Sequence, residues 1–161
     1  MVIGCNFCPF AAKEFRAGTI HYQVEESDDK ETILQSFFKE CERLDLHPEI
    51  ETSLLIMPNA VPAFPDYLDL LSLGEQLIAI HDYEGVYQIA SFHPEYIFEG
   101  SSADDPANYT NRSIYPMFQL LREDSVEKAL SRFPDPEGIP ERNIRFAREK
   151  GLEVMRRLGR P

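Results

Sequence analysis

The residue types that could carry chemistry in this 161-residue chain lie at two places, a cysteine near the start and a polar region after residue 92. Cys8 directly precedes Pro9, which lies in the first turn of a short predicted helix, and a helix N-terminus favours the thiolate form of a cysteine. His93 follows an apolar segment, and an imidazole titrates near neutral pH, as general acid–base catalysis requires. Cys8 and His93 are therefore the candidate nucleophile and its acid–base partner.

The loop over residues 101–115 supplies candidate ligand contacts. A loop of this length in a compact domain is usually functional or disordered, and its sequence, SSADDPANYTNRSIY, is not that of a flexible linker. Arg112 can bind a carboxylate or phosphate through two parallel hydrogen bonds, and Asn108 or Asn111 can donate to a polarised oxygen. The candidate ligand-binding residues are Tyr96, Asn108, Tyr109, Asn111, Arg112, Ser113, Arg122 and Glu123. Alternatively, the same side chains only brace the loop, because Asn and Ser readily bond to nearby backbone.

Metal and disulfide chemistry have less support. Cys5 and Cys8 form a C-x-x-C pair, but it precedes every predicted strand, whereas in thioredoxin-like folds the pair follows the first strand. Zinc needs about four ligands, and no histidine stands at a ligand spacing from this pair. The odd number of cysteines, three, and a start unlike a secretory signal favour free thiols in a reducing compartment. We expect no metal site and a cytoplasmic protein, and the sequence leaves the cofactor unknown.

The charge of the chain limits its partners. A formal net charge of -12 repels a phosphate backbone, so we expect no nucleic-acid binding. No apolar run is long enough to cross a bilayer, so we expect no membrane partner. Residues 22–51 are strongly acidic and the C-terminal helix is basic, which indicates two solvated helix faces or, alternatively, a basic patch for an anionic partner. A small anion and a second copy of the chain remain as candidate partners.

The segments that must position these residues alternate between strand and helix. Alternating or continuous apolar runs predict strands over residues 19–24, 52–57 and 85–92. Helical spacing and capping signals predict helices over residues 6–15, 28–44, 64–82, 116–122, 125–132 and 140–158. The order β-α-β-α-β followed by helices predicts one domain over residues 1–161, an α/β or α+β sandwich. We expect a small, mainly three-stranded sheet with helices packed on it, a helical C-terminus, and the polar loop folded over the end of the last strand.

Seven segments of the chain, taken in order, form a recognisable pattern. They are residues 6–11, the strand from residue 51 to Pro58, residues 88–98 (QIASFHPEYIF), residues 105–113 (DPANYTNRS), Tyr115-Pro116, residues 120–123 (LLRE) and residues 139–144 (IPERNI). On these segments the chain resembles a bacterial family, domain of unknown function 1415. The resemblance places Cys8, His93, Tyr96, Asn108, Asn111, Arg112, Arg122 and Glu123 on motif positions. Cys5 departs from the family pattern, and so does Ile114, where the family usually has proline. The resemblance implies no activity.

Three hypotheses for function follow. The first is an enzyme of small-molecule metabolism, in which Cys8 is the nucleophile, His93 its partner and Arg112 the anchor for an anionic group. The second is a protein that binds an anionic small molecule through the same loop without catalysis. The third is a structural or protein-interaction domain that acts as a homo-oligomer. We favour ligand binding, with a thiol-dependent reaction as an extension of it.

Overall fold

The structure is a computed structural model that describes residues 1–159. Four strands alternate with helices through the first three quarters of the chain, and helices form the remainder. The elements are α1 (Ala11–Ala17), β1 (Ile20–Val24), α2 (Lys30–Leu46), β2 (Thr52–Ile56), α3 (Phe64–Ile80), β3 (Tyr87–Phe92), a 3-10 helix (Pro106–Thr110), β4 (Met117–Arg122), α4 (Glu123–Leu130), α5 (Gly138–Lys150) and α6 (Leu152–Leu158). This confirms the predicted α+β class with a helical C-terminus.

The sheet has four strands, in the order β1-β2-β4-β3. The predicted β-α-β unit is present, because β1 and β2 are parallel neighbours on either side of α2. The prediction of a helix over residues 116–122 is wrong: this segment is β4, and it pairs antiparallel with both β2 and β3. The sequence predicts no strand order, and in the structure β4, the last strand of the chain, lies between β2 and β3.

The sequence of β4 fits a strand once its two neighbours are known. Phe118 and Leu120 are almost fully buried and lie on one face, whereas Gln119 and Leu121, which alternate with them, are only half-buried. This alternation is the two-residue period of a strand. Hydrogen bonds to both neighbours occupy its backbone, and this outweighs the helical character of the short segment. The loop from His93 to Pro116 has to carry the chain from one end of β3 back to the start of β4.

Helices α2 and α3 cover one face of the sheet and form the main core with it. The largest buried side chains include Phe37 from α2, Tyr67 from α3 and Phe118 from β4. Gly74 allows α3 to approach closely, because a Cβ atom there would lie 3.3 Å from Ile89 Cδ1 and 3.6 Å from Phe118 Cε2. Burial of these apolar surfaces stabilises the layer at roughly 25 cal/mol per Å².

A buried carboxylate links α2 to the edge of the sheet. Glu40 is 1% exposed, and one of its oxygens accepts a hydrogen bond from Ser53 Oγ at 2.5 Å. Arg43 Nε donates to the other oxygen at 3.1 Å, and His21 Nε2 lies 3.6 Å away. Since burial of an unpaired charge would be costly, these partners are what allow Glu40 to occupy the interface.

The terminal segments form a second, smaller cluster. Phe7 packs edge-on against Phe146, and the same cluster contains the buried Ala147 and Met155. The single helix predicted over residues 140–158 is two helices, because Gly151 adopts a φ of 78° that ends α5 and starts α6. No helix among the described residues is both long enough and apolar enough to cross a membrane. This cluster brings α5 and α6 against the loop that follows β3.

Candidate functional site

His93 is enclosed in the core at the end of β3. Its side chain is 0% exposed and packs against the rings of Phe64 and Tyr67. Nδ1 accepts the backbone N–H of Glu95 at 3.0 Å, and Nε2 lies 3.0 Å from the carbonyl oxygen of Val61. Because one nitrogen accepts from a backbone amide, the other must carry a proton and donate to the carbonyl, which defines a neutral tautomer. Both ring nitrogens are thus engaged within the protein.

Cys8 directly follows Phe7, a buried residue of the terminal cluster. Its side chain is half-buried, its carbonyl accepts the N–H of Ala11, and the preceding Phe7 carbonyl accepts a hydrogen bond from Asn143 at 2.7 Å. Within residues 1–159 no hydrogen bond joins Cys8 to His93. The paired catalytic roles of these two residues stay a prediction. Cys41 differs from Cys8, since burial raises the pKa of its thiol to about 12 and keeps it protonated.

The predicted asparagines brace the polar loop. Asn108 is 0% exposed: its Oδ1 accepts the N–H of Phe98 at 3.1 Å and its Nδ2 donates to Ser102 O at 2.8 Å. Asn111 Nδ2 donates to Ser91 O, the carbonyl before the last residue of β3. These bonds fold residues 101–115 against the end of β3, as predicted, and the 3-10 helix gives the loop a structure of its own. Both amide side chains are used in bracing.

Arg122 and Glu123 lie at the opposite end of the sheet from the loop. Arg122 Nη2 donates to the carbonyls of Leu44 at 2.5 Å and Ile50 at 3.1 Å, and Nε also donates to Ile50 O at 3.2 Å. These acceptors lie in the last turn of α2 and just beyond it, where the helix dipole is negative. Glu123 begins α4 and lines a cavity of about 530 Å³ that contains two further acids, Asp124 and Glu127. The structure therefore does not bring these two residues to the other predicted ligand contacts.

A second cavity opens beside the polar loop. Its volume is about 260 Å³, and its lining residues are Pro94, Tyr109, Arg112, Ser113, Arg156 and Gly159. Three of the eight predicted ligand-binding residues thus meet at one concave surface. We call it the Arg112–Arg156 cavity.

Arg112 is held in this cavity by the loop itself. Nε donates to Tyr96 O at 3.1 Å, Nη2 donates to Ala103 O at 2.9 Å, and the guanidinium carbon lies 4.6 Å above the ring centroid of Tyr109. Nη1 donates to no acceptor in the part of the chain that the structure describes. The guanidinium is therefore fixed in position while part of its hydrogen-bonding capacity remains available.

Arg156 reaches the cavity from α6. Its side chain is 45% exposed, and the ion pairs it makes with residues of the described range are long, 3.4 Å to Asp104 and 3.7 Å to Glu153. Sequence reasoning included Arg156 in a basic patch but did not place it in the site, because its proximity to Arg112 depends on how α6 packs. Gly159 permits this packing, since a Cβ atom there would lie 3.4 Å from the Tyr109 ring. Close contact between α6 and the loop thus completes the cavity.

An ion pair fixes α5 to the same loop. Arg148 donates two hydrogen bonds to the Asp105 carboxylate, at 2.7 and 3.2 Å, and Asp105 also accepts the N–H of Ala107 at the start of the 3-10 helix. The Arg148 guanidinium is the main reason that the pKa of Asp105 falls from its ordinary 3.8 to about 2. Asp105 therefore remains ionised near neutral pH and holds the loop between α5 and the sheet.

Comparison with known proteins adds one result. The family model described as "Protein of unknown function (DUF1415)" matches residues 1–157. The chain belongs to this family. No curated protein and no solved structure matches the chain. Membership confirms the resemblance noted from the sequence motifs, and the geometry of the cavities has to support any statement about function.

Proposed function

We propose that this DUF1415 protein binds a small anionic molecule in the Arg112–Arg156 cavity. The observation that carries the proposal is that two guanidinium groups from distant parts of the chain line one small concave surface. One of them is fixed by two backbone carbonyls and an aromatic ring, so binding would require little further ordering of it.

The charge distribution supports an anion in preference to a cation. The chain as a whole has a net charge of -12, yet residues 142–157, which form most of α5 and α6, contain six basic residues and only two acidic ones. A concave surface within a basic region raises the local concentration of anions. The 530 Å³ cavity beside α4 has three acids among its lining residues and would repel the same ligand.

Catalysis is not part of this proposal. Both nitrogens of His93 are hydrogen-bonded to backbone groups inside the core, and neither of these bonds involves Cys8, so no hydrogen bond in the described residues supports a reacting pair. Binding without turnover requires only the residues that line the cavity. Alkylation of Cys8 with iodoacetamide should accordingly leave anion binding unchanged, and a loss of binding after alkylation would favour the thiol-dependent hypothesis.

The test is thermal unfolding in the presence of a panel of small anions at constant ionic strength, with chloride as the reference. A ligand at about 100 times its Kd stabilises the folded state by about 2.7 kcal/mol. For a domain of this size, that corresponds to a rise in Tm of roughly 5–11 °C. We expect at least one phosphate or carboxylate compound to produce such a rise.

Two adjacent arginines provide a matched pair of variants. Arg156→Gln removes a cation that lines the cavity, whereas Arg157→Gln removes the next, exposed residue, which does not line it. The anion-dependent rise in Tm should persist in Arg157→Gln and be largely lost in Arg156→Gln. Equal rises in the two variants, or no rise with any anion in the unmodified protein, would contradict the proposal.

A further inference from the structure

We infer that the ligand of the Arg112–Arg156 cavity is a small phosphate monoester, a phosphate group on a remainder of only a few atoms. This inference rests on the proposed function, because it names the class of anion that the same cavity selects. It is carried by the number and type of hydrogen-bond donors, by the size of the cavity and by the charge around it.

The donors available at the cavity exceed what a single carboxylate can use. Arg112 Nη1 carries two N–H groups that reach no acceptor within residues 1–159, and Arg156 is engaged only by long, exposed ion pairs. Arg112 and Ser113 both line the cavity, and their backbone N–H groups have no acceptor in the described part of the chain. Successive backbone amides together with guanidinium groups are the donors that proteins use for phosphate.

A phosphate monoester matches these donors better than a carboxylate. It presents three strong acceptor oxygens and a charge of about -1.5 to -2 near neutral pH, whereas a carboxylate presents two oxygens and a single charge. The Ser113 hydroxyl is not available to donate a hydrogen bond to the ligand, since its Oγ already donates to Tyr115 O at 2.5 Å. The donors that remain are therefore cationic or backbone groups, which suit a fully ionised oxyanion.

The size of the cavity limits the rest of the ligand. At about 260 Å³ it lies below the roughly 300–1,000 Å³ of pockets that enclose drug-sized molecules. One face of the Tyr109 ring is covered by Arg112, and Gly159 lies against the same ring, so little of that ring remains to stack on a base. Pro94 supplies a small apolar surface. These features favour a short carbon chain over a nucleotide.

Isothermal titration calorimetry on the full chain can test this assignment with four probes: glycerol 3-phosphate, inorganic phosphate, succinate and AMP. We expect glycerol 3-phosphate to bind at least about tenfold more tightly than succinate, which has similar charge and length but no phosphate group. Because tenfold in Kd is about 1.4 kcal/mol, this is the effect of one additional charge-assisted hydrogen bond. Inorganic phosphate should bind, more weakly, and AMP should not exceed it.

Lysine variants separate the effect of the guanidinium hydrogen-bond donors on binding from the effect of the positive charge. Arg156→Lys preserves the cation but not the fork of N–H groups, and it should weaken glycerol 3-phosphate binding about tenfold while leaving the fold intact, because Arg156 is 45% exposed. Arg112→Lys should weaken binding at least as much, with thermal unfolding measured to confirm that the loop remains folded. Arg157→Lys is the control and should bind as the unmodified protein does.

The outcomes distinguish this inference from the proposed function. If succinate binds as tightly as glycerol 3-phosphate and its binding requires Arg156, the cavity is an anion site but the phosphate assignment is wrong. If AMP binds most tightly, the size argument is wrong. If none of the four probes binds and no other anion raises the Tm, the proposed function is wrong as well.

Discussion

Arg122 offers the sharpest test of how the fold is held together, because one side chain from β4 binds the end of α2. Its Nη2 and Nε atoms donate to the carbonyls of Leu44 and Ile50, and Nη2 lies 3.3 Å from the carbonyl of His47. Arg122→Met preserves much of the apolar length of the side chain and removes every donor and the charge. The three carbonyls would then lose their shared partner.

The expected cost follows from these contacts. A hydrogen bond to a charged group is worth about 1.5–3 kcal/mol, and a cation at a helix C-terminus adds about 0.3–1 kcal/mol. Some of the carbonyls regain water, since Arg122 is only half-buried, so we expect a net loss of about 3 kcal/mol in the free energy of unfolding. For a domain of this size the Tm should fall by roughly 6–12 °C.

Urea unfolding followed by circular dichroism at 222 nm measures this loss. Arg145→Met is the matched control, because Arg145 is exposed on α5 and makes no side-chain hydrogen bond or ion pair in the described residues, so a change within about 0.5 kcal/mol is expected. Arg122→Lys should recover only part of the loss, since lysine supplies the charge without the fork. A loss below about 1 kcal/mol for Arg122→Met, or full recovery with lysine, would refute this account of the end of α2.

Three further predictions concern buried or ion-paired groups. Glu40→Ala should lower the free energy of unfolding by about 2–3 kcal/mol, because it leaves the buried Ser53 hydroxyl without its acceptor. A loss under about 1 kcal/mol in urea unfolding would count against the role of this hydrogen bond. The Asp105–Arg148 pair stabilises the fold only while Asp105 is ionised. Its pKa is depressed from 3.8 to about 2, so the contribution is present above its ordinary pKa and is lost as the pH falls through the depressed pKa. Asp105→Asn should therefore be less stable than the unmodified protein by about 0.5–1 kcal/mol at pH 7, and this difference should shrink as the pH is lowered from about 4 towards 2, measured by denaturant unfolding. A difference that does not change with pH would exclude a charge effect. Iodoacetamide should not label Cys41 in the folded protein, since its pKa is raised to about 12 and it is 1% exposed, and mass spectrometry that detected native labelling there would show that α2 opens.

The sequence predicts a helix or strand correctly where the apolar spacing within that one segment is sufficient to define it. The capped helix α2 and the strands β1, β2 and β3 were predicted because apolar spacing within each segment defines the buried face. The segment 116–122 was assigned to the wrong class, since seven residues with two adjacent leucines fit a short helix as well as a strand. Only its pairing with two other strands decides between them, and pairing over such distances leaves no local signal.

The candidate site was likewise predictable only where its residues are close together in the sequence. Tyr109, Arg112 and Ser113 were predicted because an Asn- and Arg-bearing loop of this length is unusual. The reactive role of His93 stays a prediction, and its hydrogen bonds to the carbonyl of Val61 and the amide of Glu95 cannot be inferred from its neighbours in the sequence. Arg156 was not predicted to lie beside Arg112, because only the packing of α6 against the 3-10 helix brings it to the cavity.

The central position of β4 has a consequence for the newly made chain. While the protein is being synthesised, β1 and β2 can pair as soon as both have emerged, but β3 has no neighbour until residues 117–122 follow it. The region from His93 to Pro116 must therefore close before the two halves of the sheet can join. A nascent chain stopped before Met117 would present the open edges of β2 and β3 to other molecules, and we expect it to aggregate.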